Sequence, residues 1–190
     1  MQKFLDWLER VLTPLAKVIG ENKYLVAIRD GFLLSTPLLI VGSVFLLIAN
    51  FPLPQWDTWM SHLLGKDWAT MMSVPASASF DVMTILAVVG IAYSLGKQFN
   101  VDAMQAGIIA LVSFFIVTPY QTLFTPENSS KVYEVTSLPL KWMGSSGLFL
   151  GMIVALIATR LFVAIVRKGW TIKMPEGVPP TVVKSFEALI

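Results

Sequence analysis

Four charged residues lie beside long apolar stretches of the sequence and are the first candidates for chemistry. Arg29 and Asp30 directly precede an uncharged stretch from residue 31 to 49, and Asp81 and Arg160 lie at the edges of two others. A charge held inside a membrane generally serves an ion or substrate pathway, whereas a long charged side chain near the surface anchors its helix in the headgroups. Asp81 is interpreted as an interfacial acid close to the N-cap of its helix, and Arg160 as an anchor, with a ligand role as the alternative for each. The Arg29–Asp30 pair is also interpreted as an anchor, with docking of a partner as the alternative.

Residue types that catalytic and metal sites need are scarce. The sequence has no cysteine, which excludes disulfides, thiolate catalysis and cysteine-ligated metals. The single histidine, His62, falls in a polar linker and cannot form a metal cluster alone. The sequence shows no carboxylate pair, Ser–His arrangement or phosphate-binding glycine loop. We therefore predict no catalytic residue, no metal site and no cofactor, and a net charge of +2 is too small to indicate nucleic-acid binding.

Small residues recur in the apolar stretches and indicate close packing of helices. Gly147 and Gly151 form one step of the small-xxx-small pattern, and Gly42, Gly90 and Gly107 lie in other stretches. Helices in lipid gain little from hydrophobic burial, so their association depends on close contact at such residues. Two alternatives stay open, packing within the chain and a seam between two protomers.

The composition requires elements that lie in a membrane. Hydrophobic residues make up 55% of the chain and charged residues 14%, whereas about 25% of the residues in soluble domains are charged. A helix needs about 20 apolar residues to cross a bilayer, and the uncharged stretches lack the alternation of barrel strands. We predict an all-α integral membrane protein with four transmembrane helices, near residues 31–50, 78–97, 103–121 and 142–166. Their apolar midplanes predict no substrate-binding residue in this chain.

The distribution of lysine and arginine predicts the orientation of these helices. Eleven of the 14 residues fall on one predicted side of the membrane. Because Lys and Arg accumulate in cytoplasmic loops, both termini are predicted in the cytoplasm. The tight turn at 97–102 makes the second and third helices an antiparallel hairpin. The outer linkers, 51–77 and 122–141, are longer, and the alternation in 131–138 is sufficient for a short strand.

Three regions are predicted along the chain. Residues 1–30 form a cytoplasmic or interfacial region, because apolar residues share one helix face there; a soluble core helix is the alternative. Residues 31–170 form the transmembrane scaffold. Residues 171–190 contain a cytoplasmic linker and the start of a further amphipathic helix. The last residues lack the Gly, Asn or cationic side chains of a helix end, so we expect the chain to continue into another apolar segment.

Several motifs resemble one protein family. The segment WTIKMPEGVPPTVVKSFEALI is similar to the one before the fifth membrane helix in the membrane (IIC) components of the bacterial sugar phosphotransferase system, lactose/cellobiose/diacetylchitobiose branch. Three other stretches resemble the same family: the opening FLDWLERVLTPLAKVIGENKYLVAIRDGFLLSTPLLIVGS, then VDAMQAGIIALVSFFIVTPY, and FVAIVRKGW. The resemblance covers essentially the whole chain.

The resemblance implies the N-terminal scaffold and dimerisation half of a permease. The whole permease would import a β-linked disaccharide such as cellobiose, chitobiose or lactose. A cytosolic IIB protein, which receives its phosphoryl group from IIA, would phosphorylate the sugar. In this family the sugar site, with its histidine and glutamate, belongs to a second half that moves against the scaffold. These 190 residues have no counterpart of that half. The chain is therefore expected to form a homodimer in the bacterial plasma membrane, without binding sugar or catalysing a reaction alone.

Two other classes of protein are weighed against the permease. A self-contained four-helix membrane adaptor explains the absence of a site equally well. An intramembrane enzyme is disfavoured because no acid–base pair is present. An apolar span encoded directly after Ile190 distinguishes the permease from the adaptor.

Overall fold

The computed structural model describes residues 10, 12–14, 17, 20–126 and 131–170. This part of the chain forms seven α-helices, one short 3-10 turn and a two-stranded sheet. In chain order these are α1 (Lys23–Ala49), α2 (Trp56–Leu64), α3 (Trp68–Phe80), α4 (Met83–Gln98), α5 (Ala103–Val117), β1 (Gln121–Phe124), β2 (Tyr133–Thr136), α6 (Leu140–Met143), the 3-10 turn Ser145–Gly147 and α7 (Leu148–Arg167).

Helix α1 begins eight residues before the first predicted span because Asn22 caps it. The Asn22 side chain accepts hydrogen bonds from the backbone N–H groups of Tyr24 and Leu25, at 3.0 and 3.3 Å. The helix continues through Pro37 without ending. A side-chain cap of this kind satisfies backbone donors that a helix start leaves unpaired. Helix α1 therefore includes residues 23–30, which were assigned from the sequence to the region before the first span.

The predicted outer linker at 51–77 is largely helical, and this changes the second span. Helix α2 is joined to α3 by a hydrogen bond of 2.9 Å from the Trp68 indole N–H to Asp57. Helices α3 and α4 follow each other with only Asp81 and Val82 between them. The predicted span at 78–97 therefore corresponds to a longer helical segment, Trp68–Gln98. Its first half contains Pro75 and several serines, residues that we interpreted as linker composition.

The hairpin between α4 and α5 is confirmed. Asn100 adopts a positive φ of 57°, and the Val101 N–H bonds the carbonyl of Gly96 at 3.1 Å, which closes the end of α4. The Asp102 carboxylate accepts from the N–H groups of Met104 and Gln105 at 3.0 and 3.1 Å, so α5 starts immediately. The left-handed residue, which Asn tolerates well, reverses the chain within four residues.

Three helical segments among the described residues are long and apolar enough to cross a membrane: Lys23–Ala49, Trp68–Gln98 and Ser145–Arg167. They correspond to three of the four predicted spans. The remaining one, predicted at 103–121, is represented by α5, which has 15 residues. A helix of that length rises about 22 Å, less than the roughly 30 Å of a bilayer core. Helix α5 ends at Val117 because Pro119 follows, and a residue before proline avoids helical backbone angles.

The prediction of an all-α protein needs a correction outside the bundle. Strands β1 and β2 pair in antiparallel register, from Gln121 opposite Thr136 to Phe124 opposite Tyr133. The predicted strand within 131–138 is confirmed as β2. Its partner β1 was not predicted, because four mostly exposed residues carry little alternation.

Helix α4 is the centre of the bundle. It packs against α1 on one side and against α5 and α7 on the other, while α3 packs against α1. The core formed there consists largely of small and branched side chains: Ala87, Val88, Ile91, Ala92, Ala110, Phe114, Ala155 and Ala158. Such side chains let helix axes approach closely, which supplies van der Waals contact where lipid supplies no hydrophobic drive.

Of the two predicted amphipathic regions, 171–190 lies wholly outside the described residues, and only residues 10, 12–14, 17 and 20–30 of the region 1–30 are described. The division into three regions and the cytoplasmic position of both termini therefore stay predictions.

Candidate functional site

At the crossing of α1 and α4, two glycines bring the helix backbones into direct contact. A Cβ atom added to Gly90 would lie 2.6 Å from the carbonyl oxygen of Gly31. One added to Gly31 would lie 2.6 Å from the Cα of Ile91, a fully buried residue. Glycine is the residue that permits so close an approach of two backbones. The crossing therefore holds α1 firmly against the central helix.

Two further glycines also face neighbouring helices. A Cβ on Gly42 of α1 would lie 2.6 Å from the Cβ of Ser79 in α3. A Cβ on Gly107 of α5 would lie 3.3 Å from Val89 Cγ1 in α4, a contact that a small shift relieves. The first site requires glycine, whereas the second only favours it.

Gly147 and Gly151, the predicted small-xxx-small step, do not share a role. A Cβ on Gly147 would collide with the carbonyl oxygen of Trp142, within the turn that precedes α7. A Cβ on Gly151 would lie 2.6 Å from Thr84 Cγ2 and 2.8 Å from Val88 Cγ2, both in α4. All the singled-out glycines thus lie in contacts within the chain. A seam between protomers would need other surfaces.

Asp81 lies at the junction of α3 and α4, just before Val82, the N-cap residue of α4. It lines a cavity of about 380 Å³ together with Lys141, Ser145 and Ser146. The adjacent buried contact is a hydrogen bond of 2.6 Å from the Thr84 hydroxyl to the carbonyl of Gly144. Asp81 therefore lies immediately before α4, inside the longer helical segment Trp68–Gln98, in a recess lined by both polar and apolar residues.

The Arg29–Asp30 pair lies in the second turn of α1. The Arg29 Nε and Nη2 atoms both lie 2.8 Å from Asp30 Oδ1. The side chains are 63% and 36% exposed, so water screens the pair. An exposed pair of this kind suits an anchor or a docking point and does not form a buried binding site.

Arg160 lies at the end of the bundle where α4 stops and α5 starts. Its Cζ is 5.2 Å from the centroid of the Phe99 ring. Arg167 Cζ and Lys23 Nζ lie 5.3 and 5.0 Å from the same centroid. Lys23 also donates to the Gln98 carbonyl at 3.2 Å, and Arg167 donates to the Phe99 carbonyl at 3.2 Å. We term Lys23, Phe99, Arg160 and Arg167 the basic cluster.

The sequence indicated Arg160 as an anchor but not the other members of the basic cluster. They come from the start of α1, the turn after α4 and the end of α7, which are far apart in the chain. The only local signal was an aromatic residue, Phe99, in a polar turn. Cations near the carbonyl end of a helix interact favourably with its dipole, so part of the cluster serves to end α4.

Among the described residues, no three His, Cys, Asp or Glu side chains come close enough to hold a metal ion. A cavity of about 440 Å³ between α1, α4 and the start of α5 is lined by apolar side chains together with Ser35 and Tyr93, without a charge. What the arrangement provides is rigid helix packing and a positively charged end.

Apolar helices that pack closely through glycines, with most charges near the helix ends, define an integral membrane protein with a tight helix bundle. The family model described as "Phosphotransferase system, EIIC" matches residues 29–190. The chain therefore belongs to the EIIC family of the phosphotransferase system, and the family resemblance stated from the sequence is confirmed.

Curated relatives and one solved structure are similar over the whole described bundle. The chain is 43% identical to the PTS system cellobiose-specific EIIC component of Geobacillus stearothermophilus and 42% identical to the lichenan permease IIC component of Bacillus subtilis (strain 168), over all of this chain and 42% of each relative. The crystal structure of the transporter ChbC, the IIC component from the N,N'-diacetylchitobiose-specific phosphotransferase system, aligns with a TM-score of 0.89 and 42% identity. The alignment covers 96% of this chain and 43% of that one. The chain thus spans less than half the length of these relatives.

Proposed function

We propose that this chain is the N-terminal scaffold and dimerisation half of a IIC permease that imports a β-linked disaccharide coupled to its phosphorylation. The observation that carries the proposal is the match to EIIC relatives over the whole chain but only 42% of their length. The names of the similar proteins refer to cellobiose, lichenan and diacetylchitobiose, all built from β-linked glucose or N-acetylglucosamine units. We therefore expect a substrate of that type.

The scaffold role is supported by the way the helices pack. Gly31 and Gly90 bring the backbones of α1 and α4 into contact, and Gly42 of α1 packs against the Ser79 side chain of α3. A solute pathway at the midplane needs polar groups or broken helices. The hydrophobic core of the bundle consists of alanine, valine, isoleucine and phenylalanine, and the buried polar side chains of the described residues are uncharged serines and threonines. We infer that the sugar site belongs to the other half of the permease.

The chemistry of the transport cycle is assigned to partners. A cytosolic IIB protein, itself phosphorylated by IIA, would transfer the phosphoryl group to the sugar bound by the whole permease. This chain would take no covalent part in that step and would need no cofactor. Its contribution would be to hold the moving half in the plasma membrane, with both termini in the cytoplasm.

Transport by the whole gene product tests the proposal. In membrane vesicles that lack other IIC proteins, we expect labelled cellobiose, diacetylchitobiose or lactose to accumulate as a phosphate ester only when IIA, IIB and phosphoenolpyruvate are present. The 190-residue chain alone should bind none of the three sugars in calorimetry. Binding of millimolar strength or better by that chain would contradict the scaffold assignment, and uptake without phosphorylation would contradict the permease class.

A homodimer is part of the same proposal, closed and two-fold symmetric as most homo-oligomers are. Because the glycine faces are occupied within the chain, the seam would use an exposed apolar face. Single cysteines at Val41, Val112 and Ile157, which are 53%, 52% and 56% exposed, report on the faces of α1, α5 and α7. At least one should cross-link in native membranes, while a cysteine at the buried Ala92 should not. The absence of cross-links at all three would exclude a dimer through these helices.

The alternative of a self-contained membrane adaptor loses support from the family match over residues 29–190. An adaptor would leave sugar uptake unchanged when its gene is deleted. For the permease, deletion of the gene should abolish growth on the imported disaccharide.

A further inference from the structure

We propose that the basic cluster binds the phosphate of an anionic phospholipid, whose acyl chain lies in an adjoining groove between α1 and α7. Three cations gather around one aromatic ring at this end of the bundle. Lys23, Arg160 and Arg167 come from different parts of the chain, yet all lie within 5.3 Å of the Phe99 ring centroid. Phosphate is the group that Arg side chains recognise best among lipid headgroup components, because their N–H donors form a planar fork.

The cations retain the capacity to bind an anion. In the described part of the chain, ion pairs join Lys17 to Glu21 and Arg29 to Asp30, and neither pair includes a member of the basic cluster. Lys23 and Arg167 each donate one hydrogen bond to a backbone carbonyl. A lysine has three N–H donors and an arginine five, so most donors of the cluster can point to a phosphate.

The groove between α1 and α7 lies next to the basic cluster and shares Arg160 with it. It has a volume of about 330 Å³ and is lined by Tyr24, Leu156, Ile157, Arg160 and Leu161. Arg160 belongs to both the groove and the cluster, and the Tyr24 ring lies 6.1 Å from the Phe99 ring. Ile157 and Leu161 are 56% and 60% exposed, so an acyl chain has open access to the groove.

The combination of charge and groove selects the ligand. A free phosphate ion or an acidic protein surface would use the three cations but leave the groove empty. A zwitterionic lipid would fill the groove, but its own cation would oppose the cluster. A lipid with a net negative headgroup uses both, and basic pockets at the membrane surface between helices have this preference.

Native mass spectrometry on the whole gene product, purified in mild detergent and freed of lipid, tests the site. Phosphatidylglycerol and phosphatidylcholine with identical acyl chains are the probes. We expect tighter retention of phosphatidylglycerol and about a fivefold loss of affinity for each of Arg160→Gln and Arg167→Gln, since a basic residue near the membrane surface contributes about 1 kcal/mol. Arg160→Lys, which keeps the charge but loses the planar fork of donors, should lose less affinity than Arg160→Gln.

Two further variants separate this site from general attraction to a positive surface. Lys168→Gln removes a charge at the same end of the bundle, where Lys168 lies 4.8 Å from the Trp170 ring and outside the cluster. It should leave affinity nearly unchanged. Ile157→Trp, which fills the groove, should weaken retention of both lipids.

Three results would overturn the proposal. Equal retention of the two lipids would remove the selectivity for a negative headgroup. An equal loss of phosphatidylglycerol affinity in Lys168→Gln and Arg160→Gln would show that the lipid responds to the general positive charge of this surface and not to the basic cluster. Displacement of the lipid by glycerol phosphate at equal concentration would indicate a phosphate site without an acyl groove. A thermal-unfolding midpoint unchanged from wild type in every variant shows that binding, not folding, was altered.

Discussion

Replacement of Gly90 by alanine should separate α1 from α4 and destabilise the bundle. The added Cβ would lie 2.6 Å from the Gly31 carbonyl oxygen, whereas ordinary contact begins at 3.4 Å, so the backbones must part by about 0.8 Å. Overpacking of this kind costs about 1–3 kcal/mol. The obstacle is a backbone atom, which cannot rotate away as a side chain can.

Gly107→Ala is the matched control. Both glycines are in helix interiors, so both variants gain the same helix propensity, about 1 kcal/mol. At Gly107 the new Cβ meets a Val89 methyl group at 3.3 Å, which a shift of a few tenths of an ångström relieves. The difference in stability between the two variants should therefore equal the overpacking cost alone, about 1–3 kcal/mol with Gly90→Ala the less stable.

The assay is unfolding of the purified protein by heat and by added dodecyl sulfate, followed by circular dichroism in one detergent. Gly90→Ala should unfold at the lower temperature and the lower dodecyl sulfate fraction. Equal midpoints for the two variants, or a more stable Gly90→Ala, would refute the conclusion that the α1–α4 crossing depends on backbone contact at this position.

Three further predictions concern the same bundle. Thr84→Val removes the buried hydrogen bond to the Gly144 carbonyl, 2.6 Å long, and should lower the free energy of unfolding by about 0.5–1 kcal/mol; no change in the thermal midpoint would show that the bond contributes nothing. Gly151→Leu should destabilise the fold strongly, because even a Cβ lies 2.6 Å from the Thr84 side chain, and normal expression with an unchanged midpoint would contradict this contact. For topology, a cysteine at Met60 should react with a membrane-impermeant reagent from outside, and one at Lys17 only after permeabilisation; the reverse pattern would invert the predicted orientation.

Much of the architecture was predictable because the membrane restricts the options. The apolar stretches indicated helices, and α1, the helical segment containing α4, and α7 lie where three spans were predicted. The turn at 97–102 was also predictable, since Asn100 tolerates a positive φ and Asp102 is a good helix cap. These features depend on residues near in sequence. The family assignment came from motifs of the same local kind.

Helical structure between 51 and 80 was not predictable from composition. Helix α3 contains Pro75 and several serines, which occur equally in linkers. It is held as a helix by its contact with α1, where Gly42 admits Ser79. Such tertiary stabilisation overrides a weak local preference. Strand β1 was missed for a related reason, because it depends on pairing with β2.

The sequence by itself determined the protein's class: segregated charge and uncharged stretches of membrane length leave a helical membrane protein as the solution. It also identified Gly42, Gly90 and Gly151 as packing positions, but it missed Gly31 and did not identify the residues that these glycines contact. Only the tertiary structure decided that Gly90 meets Gly31, that Gly147 meets its own preceding turn, and that three distant cations surround Phe99. The physical reason is that the residue type indicates only the kind of interaction: a glycine permits close approach, and a charge attracts its opposite. Which atoms the residue contacts depends on how the helices cross.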